Sequence, residues 1–180
     1  MPAQAPVVAL TDFLRATVLL CGAAATALAV ASIAGARADD DMTLLYVALA
    51  WWTAAGGIGL WLGRRSSASA GIARLLSSAR VSAVLPEPRP AAILLNRLWG
   101  LAMVTLIAGA FAFLIPQIPT VGAGYALAVA LVLRKQPGAV AAIEGRDGAR
   151  FYIERTSPFR PTRIVRAPGL RKLEGGAAEA

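Results

Sequence analysis

The chain has 180 residues, of which 57% are hydrophobic, and 18 basic residues against 10 acidic ones give a formal net charge of +8. It contains no histidine and one cysteine, Cys21, which excludes an internal disulfide and a cysteine-based metal site and removes the commonest general base. We therefore predict a membrane protein that is not an enzyme, with no catalytic residue, no metal and no cofactor. The 16 arginines against two lysines, together with the abundant alanine, suggest a GC-rich bacterial source.

Four segments are long runs without Asp, Glu, Lys or Arg. They cover residues 16–35, 42–63, 98–115 and 118–133. A membrane-spanning helix needs about 20 mostly apolar residues, so the first two are long enough and the last two are short. We predict an all-α integral membrane domain over residues 1–135, built from two helical hairpins with a short last pair. The alternative for that pair is a re-entrant hairpin buried in protein, because lipid cannot satisfy the backbone of its turn.

The charged loops predict the orientation of the chain. The first loop combines Arg37 with three aspartates at positions 39–41, and the loop between the last two segments has no charge. The central loop, residues 64–97, holds six arginines, and ten more basic residues follow residue 133. Cytoplasmic loops are enriched in Lys and Arg. We expect a multi-pass protein of a bacterial inner membrane with its N-terminus and its C-terminus in the cytoplasm.

The first segment has a competing interpretation as a signal peptide. Ala36-Arg37-Ala38 has the small-x-small pattern of a cleavage site, with cleavage after Ala38. However, the apolar run of 20 residues is longer than the usual signal core of about 7–15, and no Lys or Arg precedes Arg15. The length of the run favours an uncleaved first helix.

Small residues recur at every fourth position in three of the predicted helices. They are Ala23, Ala27, Ala31 and Gly35 in the first, Gly59 and Gly63 in the second, and Gly122, Ala126 and Ala130 in the fourth. Such ridges allow helix backbones to approach closely in a membrane. We interpret them as helix-packing residues, either within one protomer or at the interface of a homo-oligomer.

The central loop is predicted to be amphipathic. Ile72, Leu75 and Leu76 lie on one face of a helix drawn over residues 66–85, which would place it in the membrane interface. A solvated linker is the alternative, because serines at positions 66–69 are poor helix formers. The prolines at 86, 88 and 90 end any such helix.

Residues 136–173 are predicted to form a small basic cytoplasmic appendage that contains a β-hairpin. Two strands, at 139–144 and 149–155, surround a turn at 145–148, and a third short strand is expected at 162–166. The segment is too short to bury a core alone, so it is expected to lean on the membrane, the inner loops or a partner. Residues 174–180 are interpreted as a disordered tail.

The end of this appendage is strongly basic. Six cations and no acid occur between residues 155 and 172, namely Arg155, Arg160, Arg163, Arg166, Arg171 and Lys172. Anionic lipid headgroups attract such clusters, and a protein partner is the second possibility. Nucleic acid is the least favoured ligand, because no recognised motif or aromatic platform accompanies the charge. We predict a contact with anionic lipid or with a membrane or cytoplasmic protein.

The predicted spans offer little transport chemistry. Proton-coupled carriers place Asp, Glu, Lys or Arg at membrane depth, and these segments have none of the four. The expected function is therefore that of a non-catalytic scaffold or accessory subunit. The alternative is a homo-oligomeric small channel or carrier, lined by backbone and threonine groups.

Overall fold

The computed structural model describes residues 7–64, 76, 80–81, 90–154 and 164–168. The helices are α1 (Leu10–Ala38), α2 (Met42–Arg64), α3 (Pro90–Ala110), α4 (Gln117–Leu133) and α5 (Gln136–Asp147). The strands are β1 (Val7–Ala9), β2 (Arg80–Val81), β3 (Ala149–Glu154) and β4 (Ile164–Pro168). Four helical segments in these ranges are long and apolar enough to cross a membrane: Leu10–Ala38, Met42–Arg64, Ile93–Phe113 and Gln117–Asp147.

The four charge-free segments are helical, as predicted, except at the end of the third, where a 3-10 turn at Phe111–Phe113 is followed by Leu114 and Ile115, which are not helical. Two helices begin earlier than the charge-free rule suggests. α1 starts at Leu10 and includes Asp12 and Arg15, and α3 starts at Pro90 and includes Arg97. A proline is well suited to the first helical turn, because the N–H that it lacks would have no partner there. Charged residues near a helix end can reach polar surroundings, so they do not mark where the helix stops.

The helices pack in the order α3, α1, α4, α2. The two predicted hairpins, α1 with α2 and α3 with α4, are therefore interleaved. α4 lies between α1 and α2, while α1 and α2 make few contacts with each other. α1 runs antiparallel to α4, since Leu28 lies near Gly122, Ser32 near Thr120, and Gly35 near Pro116 at the start of α4. α2 runs parallel to α4, since Gly59 lies against Ala128 and Gly63 against Leu131.

Glycines bring α2 and α4 into backbone contact. A Cβ on Gly59 would lie 2.9 Å from the carbonyl oxygen of Ala128, and a Cβ on Gly63 would lie 2.8 Å from that of Leu131. On α4, Gly124 leaves the space that the indole ring of Trp51 occupies. Close approach of this kind strengthens dispersion contacts, which drive helix association in lipid.

A small sheet lies beyond one end of these helices. β3 pairs antiparallel with β1 on one side and with β4 on the other, and the two residues of β2 pair parallel with β4. The strands predicted at 149–155 and 162–166 correspond to β3 and β4, although residues 155 and 162–163 lie outside the described ranges. No strand was predicted for residues 7–9, and β1 nevertheless forms one edge of the sheet.

The strand predicted over residues 139–144 is wrong, because these residues belong to α5. Pro137 lies in the first turn of this helix, and Gly148 ends it in the left-handed conformation with φ 58°. Buried Pro137 and Val140 are three residues apart, which is a helical spacing. The predicted hairpin turn at 145–148 is therefore the end of a helix, and the antiparallel partners of β3 are β1 and β4.

Several predictions concern residues outside the described ranges. These include the tail at 174–180 and most of the interfacial helix at 66–85. Within that predicted helix residue 76 is helical, but the prediction is wrong at Arg80 and Val81, because they form β2 and pair with β4. Of the six tail cations, Arg155, Arg160, Arg163, Arg171 and Lys172 lie outside, and Arg166 is described.

Candidate lipid and partner interface

One hydrophobic core joins the sheet to the apolar helices. The buried residues are Val8, Leu10, Leu76, Ile93, Val140, Phe151 and Ile153. They come from six parts of the chain: β1, α1, the central loop, α3, α5 and β3. We call β1, β3, β4 and α5 the sheet unit. Its core is continuous with the helices, so it is not a tethered appendage.

The length of α1 explains this continuity. Its 29 residues span about 43 Å, more than the roughly 30 Å that a bilayer core requires. The extra turns carry Leu10, Phe13 and Leu14 into the core of the sheet unit.

The carboxylate of Glu144 connects α5 to β3 and to α1 by hydrogen bonds. One oxygen accepts the backbone N–H of Phe151 at 2.9 Å, and the other accepts the hydroxyl of Thr11 at 3.3 Å. The last β1 residue, Ala9, pairs with Tyr152, so the N–H of Phe151 lies one residue past the end of that ladder. Glu144 thus satisfies a strand donor that β1 does not reach.

Five described cations of the helices lie at the end that carries the sheet unit, whereas Arg37 of α1 lies at the opposite end. Because α2 and α4 are parallel and α1 is antiparallel to them, the end of α2, the end of α4 and the start of α1 coincide. We call this the basic end, and its residues are Arg15, Arg64, Arg97, Arg134 and Lys135. All of them except the half-buried Arg97 are exposed.

The opposite end is acidic. The turn between α1 and α2 contains Asp39, Asp40 and Asp41, next to Arg37. Asp41 accepts the backbone N–H of Leu44 at 2.9 Å and so caps the start of α2. Asp40 has φ 54°, a left-handed conformation that aspartate tolerates better than most residues. The two ends of the helices therefore carry net charges of opposite sign.

Arg166 lies in the sheet unit, where Asp147 partly offsets its charge. It pairs with Phe151 across β3 and β4 and is half-buried. Asp147 is hydrogen-bonded by Arg146 at 2.9 Å, and this bond, with the nearby charges of Arg146 and Arg166, holds the pKa of the carboxyl below its usual value. Arg150, by contrast, is exposed on β3.

Polar groups within the apolar helices bond to their own structure. The hydroxyl of Thr120 donates to the carbonyl of Pro116 at 2.8 Å and accepts a hydrogen bond from the hydroxyl of Ser32. The backbone carbonyl of Thr120 accepts the indole N–H of Trp52 at 2.9 Å. Four other threonines donate to the carbonyl four residues earlier; they are Thr17, Thr26, Thr53 and Thr105. The bonds of Ser32, Thr120 and Trp52 join α1, α2 and α4, whereas these four threonines are satisfied within their own helices.

The predicted helix-packing residues divide into two groups. Gly35, Gly59 and Ala130 are buried, and Ala31, Gly63, Gly122 and Ala126 are half-buried between helices. Ala23 and Ala27 are exposed. The buried ridge of α1 instead contains Cys21, Ala25, Leu28 and Ser32. In a helix so rich in alanine, the spacing of small residues does not determine which face is packed.

No family model, curated protein or solved structure matches this chain. Within the described ranges, no three His, Cys, Asp or Glu side chains lie close enough to form a metal site. The geometry of the basic end and the sheet unit is therefore the guide to function.

Proposed function

We propose that this chain is a multi-pass protein of a bacterial inner membrane that acts as a non-catalytic scaffold or accessory subunit. Its four apolar helices cross the bilayer, and its basic end and sheet unit lie in the cytoplasm. There it contacts anionic lipid and presents the sheet unit to a protein partner.

The observation that carries this proposal is the single core shared by the sheet unit and the helices. Leu10 and Ile93 belong to α1 and α3 and yet pack with Phe151 and Ile153 of β3. A scaffold needs to hold a binding surface at a fixed position, and this shared packing holds the sheet unit against the ends of the helices. A tethered domain would need no such core.

The polar groups of the helices support a scaffold more than a channel. Ser32 and Thr120 are buried and hydrogen-bonded to each other. The indole N–H of Trp52 donates to the backbone carbonyl of Thr120 on α4. Hydroxyls engaged in this way stabilise helix contacts. The channel alternative would need such groups to face a water-filled path.

The cytoplasmic assignment predicts which residues an impermeant reagent reaches. In a Cys21→Ser background, Asp40→Cys should react with a membrane-impermeant maleimide in intact cells, because it lies in the exposed acidic turn. Arg150→Cys should react only in inside-out vesicles. Labelling in the reverse pattern would overturn the orientation, which follows from the distribution of arginine.

The scaffold assignment predicts a defined neighbour for the sheet unit. A photo-crosslinking residue at Arg150, exposed on β3, should give a discrete adduct with one protein in native membranes. The matched control is the same residue at Leu106, which is 67% exposed on the apolar surface of α3 and should give lipid adducts only. If Arg150 gives no protein adduct and the purified chain passes solutes in proteoliposomes, the channel alternative replaces the scaffold.

A further inference from the structure

We propose that Arg64, Arg134 and Lys135 form a site for the phosphate headgroup of an anionic phospholipid, between the ends of α2 and α4. This inference rests on the proposed function, which places these residues at the cytoplasmic surface of the bilayer. It goes further in assigning lipid contact to particular residues of the helix ends, whereas the sequence pointed to the C-terminal tail.

The glycine contacts between α2 and α4 bring the three cations together. Gly63 lies against the carbonyl oxygen of Leu131, and Arg64 directly follows Gly63. Arg134 is three residues, or less than one turn, beyond Leu131. The three side chains therefore start from adjacent turns of two touching helices. Larger residues at Gly59 and Gly63 would push these starting points apart.

The three cations are exposed and have no acidic partner among the described residues. The ion pair found among the described residues joins Arg146 to Asp147 and includes none of these three cations. Like charges held close together repel, and a bound anion relieves that repulsion. An arginine can also bond two phosphate oxygens at once, which favours phosphate over a simple counter-ion.

The surroundings of the cluster favour a lipid over a soluble anion, a nucleic acid or a protein. The cluster lies where the apolar stretches of α2 and α4 end. Trp61, one turn before Arg64, is 55% exposed, and Trp99 on α3 is 49% exposed at the same basic end. Tryptophan is enriched at the headgroup level of membranes. The cations are thus positioned to meet phosphates while the adjoining surface meets acyl chains.

The test uses the full-length chain in detergent, with lipid retention measured by native mass spectrometry. We expect phosphatidylglycerol to be retained over phosphatidylcholine. The double variant Arg64→Gln/Arg134→Gln should lose about fivefold in affinity for each charge removed. Lysine at both positions keeps the charge but loses the bidentate geometry, so its affinity should fall between that of the glutamine variant and that of the unchanged protein.

The matched control removes the same amount of charge elsewhere, in Arg146→Gln/Arg150→Gln, and should bind as the unchanged protein does. Equal losses in both double variants would overturn the site and indicate a general effect of net charge. Displacement of the lipid by an equal concentration of soluble glycerophosphate would also overturn it, because the apolar contacts would then contribute nothing. Neither result would alter the membrane orientation, which the maleimide labelling tests separately.

Discussion

Replacing Gly59 by valine is expected to separate α2 from α4 and to destabilise the chain by about 3 kcal/mol. A Cβ at this position would lie 2.9 Å from the carbonyl oxygen of Ala128 and 3.0 Å from its Cα. Both are backbone atoms, so no side-chain rotation can relieve the clash. The helices must move apart, and the contacts along the α2–α4 interface weaken with them.

The single cysteine gives a convenient measurement of this effect. Cys21 is buried in α1, so a thiol-reactive dye should label it only as the helices open. The labelling midpoint in a thermal or denaturant series should fall for Gly59→Val. The control is Gly57→Val on the same helix, where a Cβ would meet nothing within 4 Å. An equal fall in both variants would show that valine acts through helix propensity, and the α2–α4 contact would not be the cause.

The apolar helices could be predicted from sequence because one physical signal dominates them. An apolar run of about 20 residues without charge is typical of a membrane-spanning helix, and the four runs of this sequence are helical in the structure except at Leu114 and Ile115. Their ends were less predictable, because the rule stops at Arg15 and Arg97 although the helices continue through both. Their packing order was not predictable at all, since any apolar helix can lie beside any other in lipid.

The sheet unit shows why local patterns fail in short segments. Residues 139–144 alternate in a way that fits a strand, but Pro137 and Gly148 fit the two ends of a helix equally well. The structure selects the helix, which buries Val140 against Phe151 and Ile153. The pairing of Val8 with Ile153 joins residues 145 positions apart, and no local pattern reports such a contact.

The cations show a similar division. The excess of Arg and Lys at the basic end could be predicted from the composition of the loops, because the bias is a property of the sequence. The grouping of Arg64 with Arg134 and Lys135 could not, because it depends on the parallel contact of α2 with α4. The small residues at Gly59 and Gly63 were a signal for this contact, but their partner helix could not be named from spacing.

Replacing Phe151 by alanine is expected to cost the sheet unit about 3–5 kcal/mol, the usual range for a buried phenylalanine. Phe151 is 1% exposed and packs in the core with residues from β1, α1, α3 and α5. β3 is an inner strand that pairs with β1 and β4, so its loosening should affect both neighbours. In hydrogen–deuterium exchange of the full chain in nanodiscs, Val7–Ala9 and Ile164–Pro168 should lose protection together.

The neighbouring residue supplies the control, because Tyr152 lies on the opposite face of β3 and is half-buried. Tyr152→Ala should therefore leave exchange in both flanking strands nearly unchanged. The α2–α4 contact at Gly59 and Ala128 is separate from this core, so the centres of those helices should keep their protection in Phe151→Ala. Loss of protection confined to β4, with β1 unaffected, would contradict a shared core. It would mean that β3 does not hold β1 in place. The core shared by the sheet unit and the helices, on which the scaffold proposal depends, would then not exist as described.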